Sequence, residues 1–178
     1  MPVRSHSELE CFVIGLVWQL GPCSPYDVRR ALLDSPSSQW SGSAGAIYPL
    51  MSRLAKRGLL SVKRESDSAR ARRVYRVTAA GLAALKAWIG PPLAGDAVTV
   101  TYDPLRSRAR FLGSLSPAER RAWADAAGAA LDQVAARVKQ WQERYGPGDE
   151  MLSLVTRHGE LDLAMRRAWL EEVRAAVG

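Results

Sequence analysis

Six basic residues, Lys63, Arg64, Arg70, Arg72, Arg73 and Arg76, crowd into one short stretch that contains only two acids, Glu65 and Asp67. Guanidinium and ammonium groups gathered this way neutralise phosphates and release the counterions those phosphates hold. A charge run by itself is equally well a solvated face, so its setting decides. Leu59, Leu60 and Val62 precede the run, and Val74, Tyr75 and Val77 follow it. Two short strands around a polar stretch make a β-hairpin, here with Lys63 to Arg73 as an extended basic tip.

Immediately upstream, a helix is expected from about Ser41 or Ser43 to Arg57, ended by Gly58 as its C′ residue. Ile47, Leu50, Met51 and Leu54 fall on one side at helical spacing and form its buried face. The outer face then carries Gly45, Pro49, Ser52, Arg53 and Lys56, with Tyr48 flanking them. Small residues at the start (Ser41, Gly42, Ser43, Ala44, Gly45) allow close approach to a surface, and their backbone N–H groups suit a phosphate. Pro49 is unusual in a helix interior because it lacks the N–H that would pair with the Gly45 carbonyl. Tyr48 is as readily a half-buried packing residue as a base contact.

These candidates need a scaffold. Leu9, Phe12, Val13, Leu16, Val17 and Leu20 give a first helix over Ser7 to Leu20, stopped by Gly21-Pro22. Ser24 as N-cap and Pro25 at the first helical position start a second, which runs to Asp34. Thr78 caps a fourth, Ala79 to Ile89. Three helices, a hairpin and a helix is the order of a winged helix-turn-helix, which sets its third helix in the major groove and its hairpin on the neighbouring backbone.

Gly90-Pro91-Pro92 marks a boundary, and residues 91–115 are expected to connect two domains, 1–90 and 116–178. Ser116-Pro117-Ala118-Glu119 is a capping box that opens a long helix. Ala124, Ala127, Leu131, Val134, Val138 and Trp141 form a heptad-like seam along it, and Gly146-Pro147-Gly148 ends it. A last helix from Asp149 to Val177 places Leu154, His158, Leu161, Met165 and Ala168 on one side. The expected fold is thus mainly α with a small β-hairpin wing, followed by a C-terminal α-helical dimerisation domain. Leu131, Val134, Val138, Trp141, Leu161, Met165 and Trp169 are the expected dimer-interface residues. A two-fold dimer would select a pseudo-palindromic double-stranded DNA site.

The bulk composition narrows the alternatives. Residues 1–90 hold 13 Lys/Arg against 6 Asp/Glu, whereas 91–178 hold 12 of each, so the whole net charge of +7 lies in the first half. That points to a polyanionic partner for the first domain. Cys11 and Cys23 lack CxxC spacing and only His6 and His158 accompany them, so no metal site is expected. Cys11 reads as a buried thiol, and His158 as a satisfied core histidine. No paired carboxylates, P-loop or dinucleotide glycine pattern suggests an enzyme or a cofactor. No run is long and apolar enough for a membrane span, and Glu8 and Glu10 stand where a signal peptide is basic, so a cytoplasmic protein is expected. Among the six tryptophans, Trp88 near the boundary is the candidate to touch a small effector, while Trp123, Trp141 and Trp169 read as core or interface anchors.

The stretch Ser43-Ala44-Gly45-Ala46-Ile47-Tyr48-Pro49-Leu50, with Leu54, Gly58 and Leu59, resembles the recognition-helix pattern of the PadR family of bacterial regulators. Tyr75-Arg76-Val77-Thr78 with Gly81 resembles the end of that family's wing and the start of its next helix. Asp103-Pro104-Leu105 and Trp169-Leu170-Glu171 are similar, more loosely, to its variable helical region. The resemblance implies a transcriptional repressor acting as a homodimer, released from DNA by a small molecule in some members. On these grounds Ser41, Ser43, Ala44, Gly45, Tyr48, Pro49, Ser52, Arg53, Lys56, Lys63, Arg64, Arg70, Arg72 and Arg73 are the expected DNA-contacting residues. Two other readings stand beside it: a winged-helix module that binds a protein, and a small-molecule sensor with vestigial DNA binding. The first would require an exposed apolar patch where the hairpin supplies arginines.

Overall fold

A computed structural model describes residues 6–37, 44–65, 72–93, 95–98, 102–146 and 148–177, and divides the chain into two compact units, Met1–Val98 and Thr99–Gly178. Unit 1 contains α1 (Glu8–Leu20), α2 (Pro25–Asp34), α3 (Ala44–Lys56), β1 (Leu60–Glu65), β2 (Arg72–Val77) and α4 (Ala79–Ile89). Local chemistry sets the helix starts. Ser7 with Glu10, and Ser24 with Asp27, form reciprocal capping boxes that satisfy otherwise unpaired N–H groups. Pro25 occupies the first turn of α2, where it loses no hydrogen bond.

The core of unit 1 is assembled from α1 (Val13, Ile14, Val17), α2 (Val28, Leu32) and α3, closed by Leu59, Leu60, Tyr75 and Leu85. On α3 the buried residues are Ile47, Leu50, Met51 and Leu54, the face that its period predicts. The helix continues through Pro49, which is exposed along with Gly45. The carbonyl left without a donor therefore faces solvent, where water can satisfy it. Cys11 is buried, as expected.

The hairpin is longer than the sequence suggests. Antiparallel pairing runs from Leu60↔Val77 out to Glu65↔Arg72, so Lys63, Arg64, Arg72 and Arg73 lie on paired strands rather than in a tip. Charged residues at successive positions conceal the alternation by which strands are read. The root of β2 is fixed twice more. Cys23 and Tyr75 exchange backbone hydrogen bonds (Cys23 N–H to Tyr75 O, 3.1 Å; Tyr75 N–H to Cys23 O, 2.8 Å), adding a residue of a third strand. Thr78 donates from its hydroxyl to the carbonyls of Gly58 (2.7 Å) and Leu59 (3.1 Å) while capping α4 through Gly81 N–H.

Unit 2 contains α5 (Pro104–Ala109), α6 (Pro117–Tyr145) and α7 (Glu150–Val177), with a 3-10 turn at Leu112–Ser114. The Ser116–Glu119 capping box opens α6. Residues 103–115, expected as connecting chain, instead belong to this unit. Asp103 caps α5 and pairs with Arg166 of α7 at 3.4 Å, and Leu105 packs on the cluster between α6 and α7. A six-residue helix is too short to show a period.

The heptad seam of α6 is covered within the chain: Ala124, Ala127, Leu131 and Val138 are buried against Leu163 and Leu170, with Val134 packed alongside. Leu131, Val134 and Val138, expected at a dimer interface, instead pack within the chain's own helix pair. Trp141 is partly buried on the same helix, its ring 5.8 Å from that of Tyr145, and Trp169 is partly buried on α7. Leu161 and Met165 lie on a different side of α7 and remain 53% and 56% exposed. His158 is exposed on that side too, not a core residue. Among the described residues, no helix is long and apolar enough to cross a membrane, and no cluster of three or more His, Cys, Asp or Glu could hold a metal ion.

Candidate nucleic-acid interface

With its apolar side spent on the core, α3 presents Gly45, Tyr48, Pro49, Arg53 and Lys56 to solvent, with Ser52 half-buried among them. Lys63, Arg64, Arg72 and Arg73 are exposed on the hairpin. The same-face rule for strands puts Val62, Arg64, Arg73 and Tyr75 together, and this face meets α3 across a groove. One part of the groove, about 390 Å³, is bounded by Ser52, Lys56, Arg64 and Arg73. The adjoining part, about 710 Å³, lies between Tyr48 and Ser52 of α3, Arg73 of β2, and the first turn of α2. Ala44 opens α3, while Ser41, Ser43 and Arg70 lie outside the described residues.

Two residues of this surface escape the sequence reading, Tyr26 and Asp27. Tyr26 is 53% exposed at the edge of the larger part of the groove. Its signal is that it falls off the buried stripe Pro25, Val28, Leu32 of α2, so an aromatic ring is left facing outward. Asp27 accepts from the Ser24 N–H (2.8 Å) and hydroxyl (2.8 Å), and from the Arg72 guanidinium (2.6 Å). Partial burial pulls its carboxyl up, but the Ser24 bonds and the Arg72 charge outweigh that and hold it below the ordinary carboxylate value. Arg72 is therefore a strut between the wing and α2 as well as a surface cation. Burial, aided by the nearby Asp27 charge and opposed by Arg72, pushes the Cys23 thiol up to about 11, which keeps it protonated and unreactive at neutral pH.

Trp88 is 36% exposed, and its indole N–H donates to Glu8 at 2.9 Å, tying α4 to the start of α1. Beside it, Arg57 bridges Glu10 (2.7 Å) and His6 Nδ1 (2.7 Å). These contacts lie within unit 1 and brace its helices.

Residues 13–87 match the model of the family described as transcriptional regulator PadR-like. The fold is shared over nearly the whole chain with solved structures. Bacillus subtilis PadR in complex with operator DNA superposes with a TM-score of 0.81 at 20% identity, covering 97% of this chain and 100% of that one. The same protein in complex with p-coumaric acid gives 0.73 at 19% identity, with 95% and 94% covered. The PadR-like regulator BC1756 of Bacillus cereus gives 0.74 at 16% identity, with 99% and 98% covered. No curated protein matches by sequence.

Proposed function

Because residues 13–87 match the model of the PadR-like family of transcriptional regulators, we propose that this chain is a dimeric, sequence-specific DNA-binding repressor. In this reading α3 enters the major groove, and the β1–β2 wing lies against the adjacent backbone. The observation that carries it is the pair of neighbouring hollows, sharing Ser52, Arg73 and Tyr75, where the outer face of α3 meets the arginine-bearing face of the wing. Gly45, Tyr48, Pro49 and Ser52, with Ser41, Ser43 and Ala44 before them, approach base edges. Arg53, Lys56, Lys63, Arg64, Arg70, Arg72 and Arg73 position the protein on phosphates. The B. subtilis relative is seen with a small aromatic acid, and a small hydrophobic effector of this chain would meet the exposed part of the Trp88 ring.

Sequencing the genomic fragments that the purified protein retains should reveal a recurrent pseudo-palindrome. Against a duplex carrying it, Tyr48→Phe should weaken binding by about 1 kcal/mol, the usual worth of one hydrogen bond, and leave random-sequence binding unchanged. Fluorescence anisotropy on both duplexes reads the difference. Equal losses on the two would remove Tyr48 from base readout, and fragments with no shared sequence would overturn specific recognition.

The dimer would form through α7, where Met151, Leu154, Val155, Leu161 and Met165 make an exposed apolar stripe separate from the side that packs on α6. A stripe of this kind is costly to leave in water and is the mark of a partner surface. Replacing Met165 with glutamate should shift the sedimenting species from dimer to monomer at low micromolar concentration without loss of helix content. A variant that remained dimeric would place the contact elsewhere.

A further inference from the structure

We propose that the exposed side of α7 pairs with the same side of a second copy, antiparallel across a two-fold axis at His158, so that protons control the contact. The inference rests on the α7 dimer reading above and adds its direction, its register and its response to pH.

The pattern of the stripe carries it. Counted from His158, Val155 and Leu161 stand three positions to either side, and Met151 and Met165 seven. Leu154 lies four before it and Asp162 four after. All five apolar members are more than half exposed, and His158 is exposed among them. At helical spacing they fall within about 60° of the direction of His158, away from buried Thr156, Leu163 and Leu170. An isologous contact asks for such a sequence. Across a two-fold axis between antiparallel helices, a residue before the centre lies level with the one equally far after it on the other copy. Met151 then lies level with the partner's Met165, Val155 with the partner's Leu161, and His158 with its own copy. A parallel pair, or an unrelated partner, would not require the pattern to read the same in both directions. The one departure is Asp162 opposite Leu154, and there Arg166 already neutralises the carboxylate at 2.8 Å.

A histidine at the centre makes the contact sensitive to protons. Two neutral imidazoles side by side can share an N–H between ring nitrogens, since each ring carries a donor and an acceptor. Two protonated rings offer only donors and place like charges in a seam taken out of water. The charges around this centre come from three helices. On α7, Arg157 pairs with Glu160 at 3.0 Å, and Arg166 pairs with Asp162 and, at 3.4 Å, with Asp103, the cap of α5. The first helix of the unit also brings Arg106 and Arg108. The Arg167–Asp132 and Arg174–Asp125 pairs set the register of α6, which puts Trp141 level with His158. Near it, Lys139 pairs with Glu143 at 4.0 Å and Arg144 lies over the Tyr145 ring at 5.2 Å. Among side chains of these types, only an imidazole ordinarily changes charge between about pH 5 and 8. The contact is therefore strongest above that range and is lost as pH falls through it.

Sedimentation of the wild-type full chain, which needs no substitution, reads the protons. Between about pH 8 and pH 5.5 the dimer Kd should rise by about tenfold per pH unit for each proton the contact expels. His158→Gln should remove that dependence. A dimer indifferent to pH, or a His158→Gln protein that keeps the dependence, overturns the proposal. Cysteine cross-linking under mild oxidation reads direction and register, the native Cys11 and Cys23 being buried. His158→Cys should link to itself. Met151→Cys and Met165→Cys should each stay unlinked alone and link to one another when mixed. Self-linking of either methionine variant would mean parallel helices and also overturn the proposal. If wild type sediments as a monomer at every pH, the α7 dimer reading falls together with this inference. If it is a dimer at about pH 8 and His158→Cys does not link, the inference alone falls.

Discussion

Replacing Gly81 with alanine is expected to destabilise unit 1 more than any surface substitution, by about 3 kcal/mol or more, as overpacking against backbone does. Gly81 sits in the first turn of α4, where Thr78 has drawn the chain onto the Leu59 carbonyl. Thr78 N–H donates to that oxygen at 3.2 Å and its hydroxyl at 3.1 Å. A Cβ at position 81 would fall well inside contact distance of the same oxygen, 3.0 Å from its carbonyl carbon and 3.2 Å from a Val77 methyl. None of these is the movable end of a long side chain, so α4 must shift away from β1 and carry Leu85 out of the core. For a unit of this size the melting temperature should fall by about 10 °C or more, measured by circular dichroism on the full chain. Gly159→Ala makes the contrast. Its added methyl meets nothing within 4 Å in α7, so it should stabilise by up to about 1 kcal/mol. A Gly81→Ala protein that melted like wild type would show that the close approach is not rigid.

The second large effect is on binding. Affinity for duplex DNA should fall by roughly three orders of magnitude between about 50 and 200 mM salt, with a log–log slope on the order of −4 to −8 per dimer. The charge excess of the chain lies wholly in residues 1–90, and Arg53, Lys56, Lys63, Arg64 and Arg73 carry it to the exposed surface of α3 and the wing. Arg72 contributes less, because Asp27 already neutralises part of its charge. Anisotropy titrations across that salt range give the slope directly. A nearly flat dependence would favour a protein partner at this surface, since such interfaces lack the counterion release of a polyphosphate.

Local signals carried most of the fold. Ser24-Pro25 and Ser116-Pro117 with Glu119 mark helix starts through bonds made within four residues, so the sequence alone shows them. The Ile47, Leu50, Met51, Leu54 stripe is legible for the same reason. What stayed hidden depends on residues far apart in the chain. Arg72 and Asp27 are separated by 45 positions, and the Cys23–Tyr75 bridge by more, and no period or motif announces either. A basic hairpin beside a helix is visible in the sequence, but not that Arg72 pairs with Asp27 across the fold, which depends on strand register. The helices of unit 2 show the complementary limit. Each has an apolar side visible in the sequence, yet only packing reveals that α6 spends its seam on α7 while α7 keeps Leu161 and Met165 outside.

The Cys23–Tyr75 bridge has a consequence for how such a chain can diverge. A two-stranded ribbon alone is marginally stable in water and free to slip in register. Here one residue of the loop between α1 and α2 locks the inner end of the ribbon through two backbone bonds, whose donors any residue but proline supplies. The outer pairs, Lys63↔Val74 to Glu65↔Arg72, then need not set the register themselves. Mutations that recharge the exposed positions of those pairs can therefore accumulate without re-aiming α3. On the DNA-binding reading proposed above, copies of the gene would acquire different preferences for the DNA flanking a site while retaining the same reading helix, with the two halves of recognition drifting at separate rates.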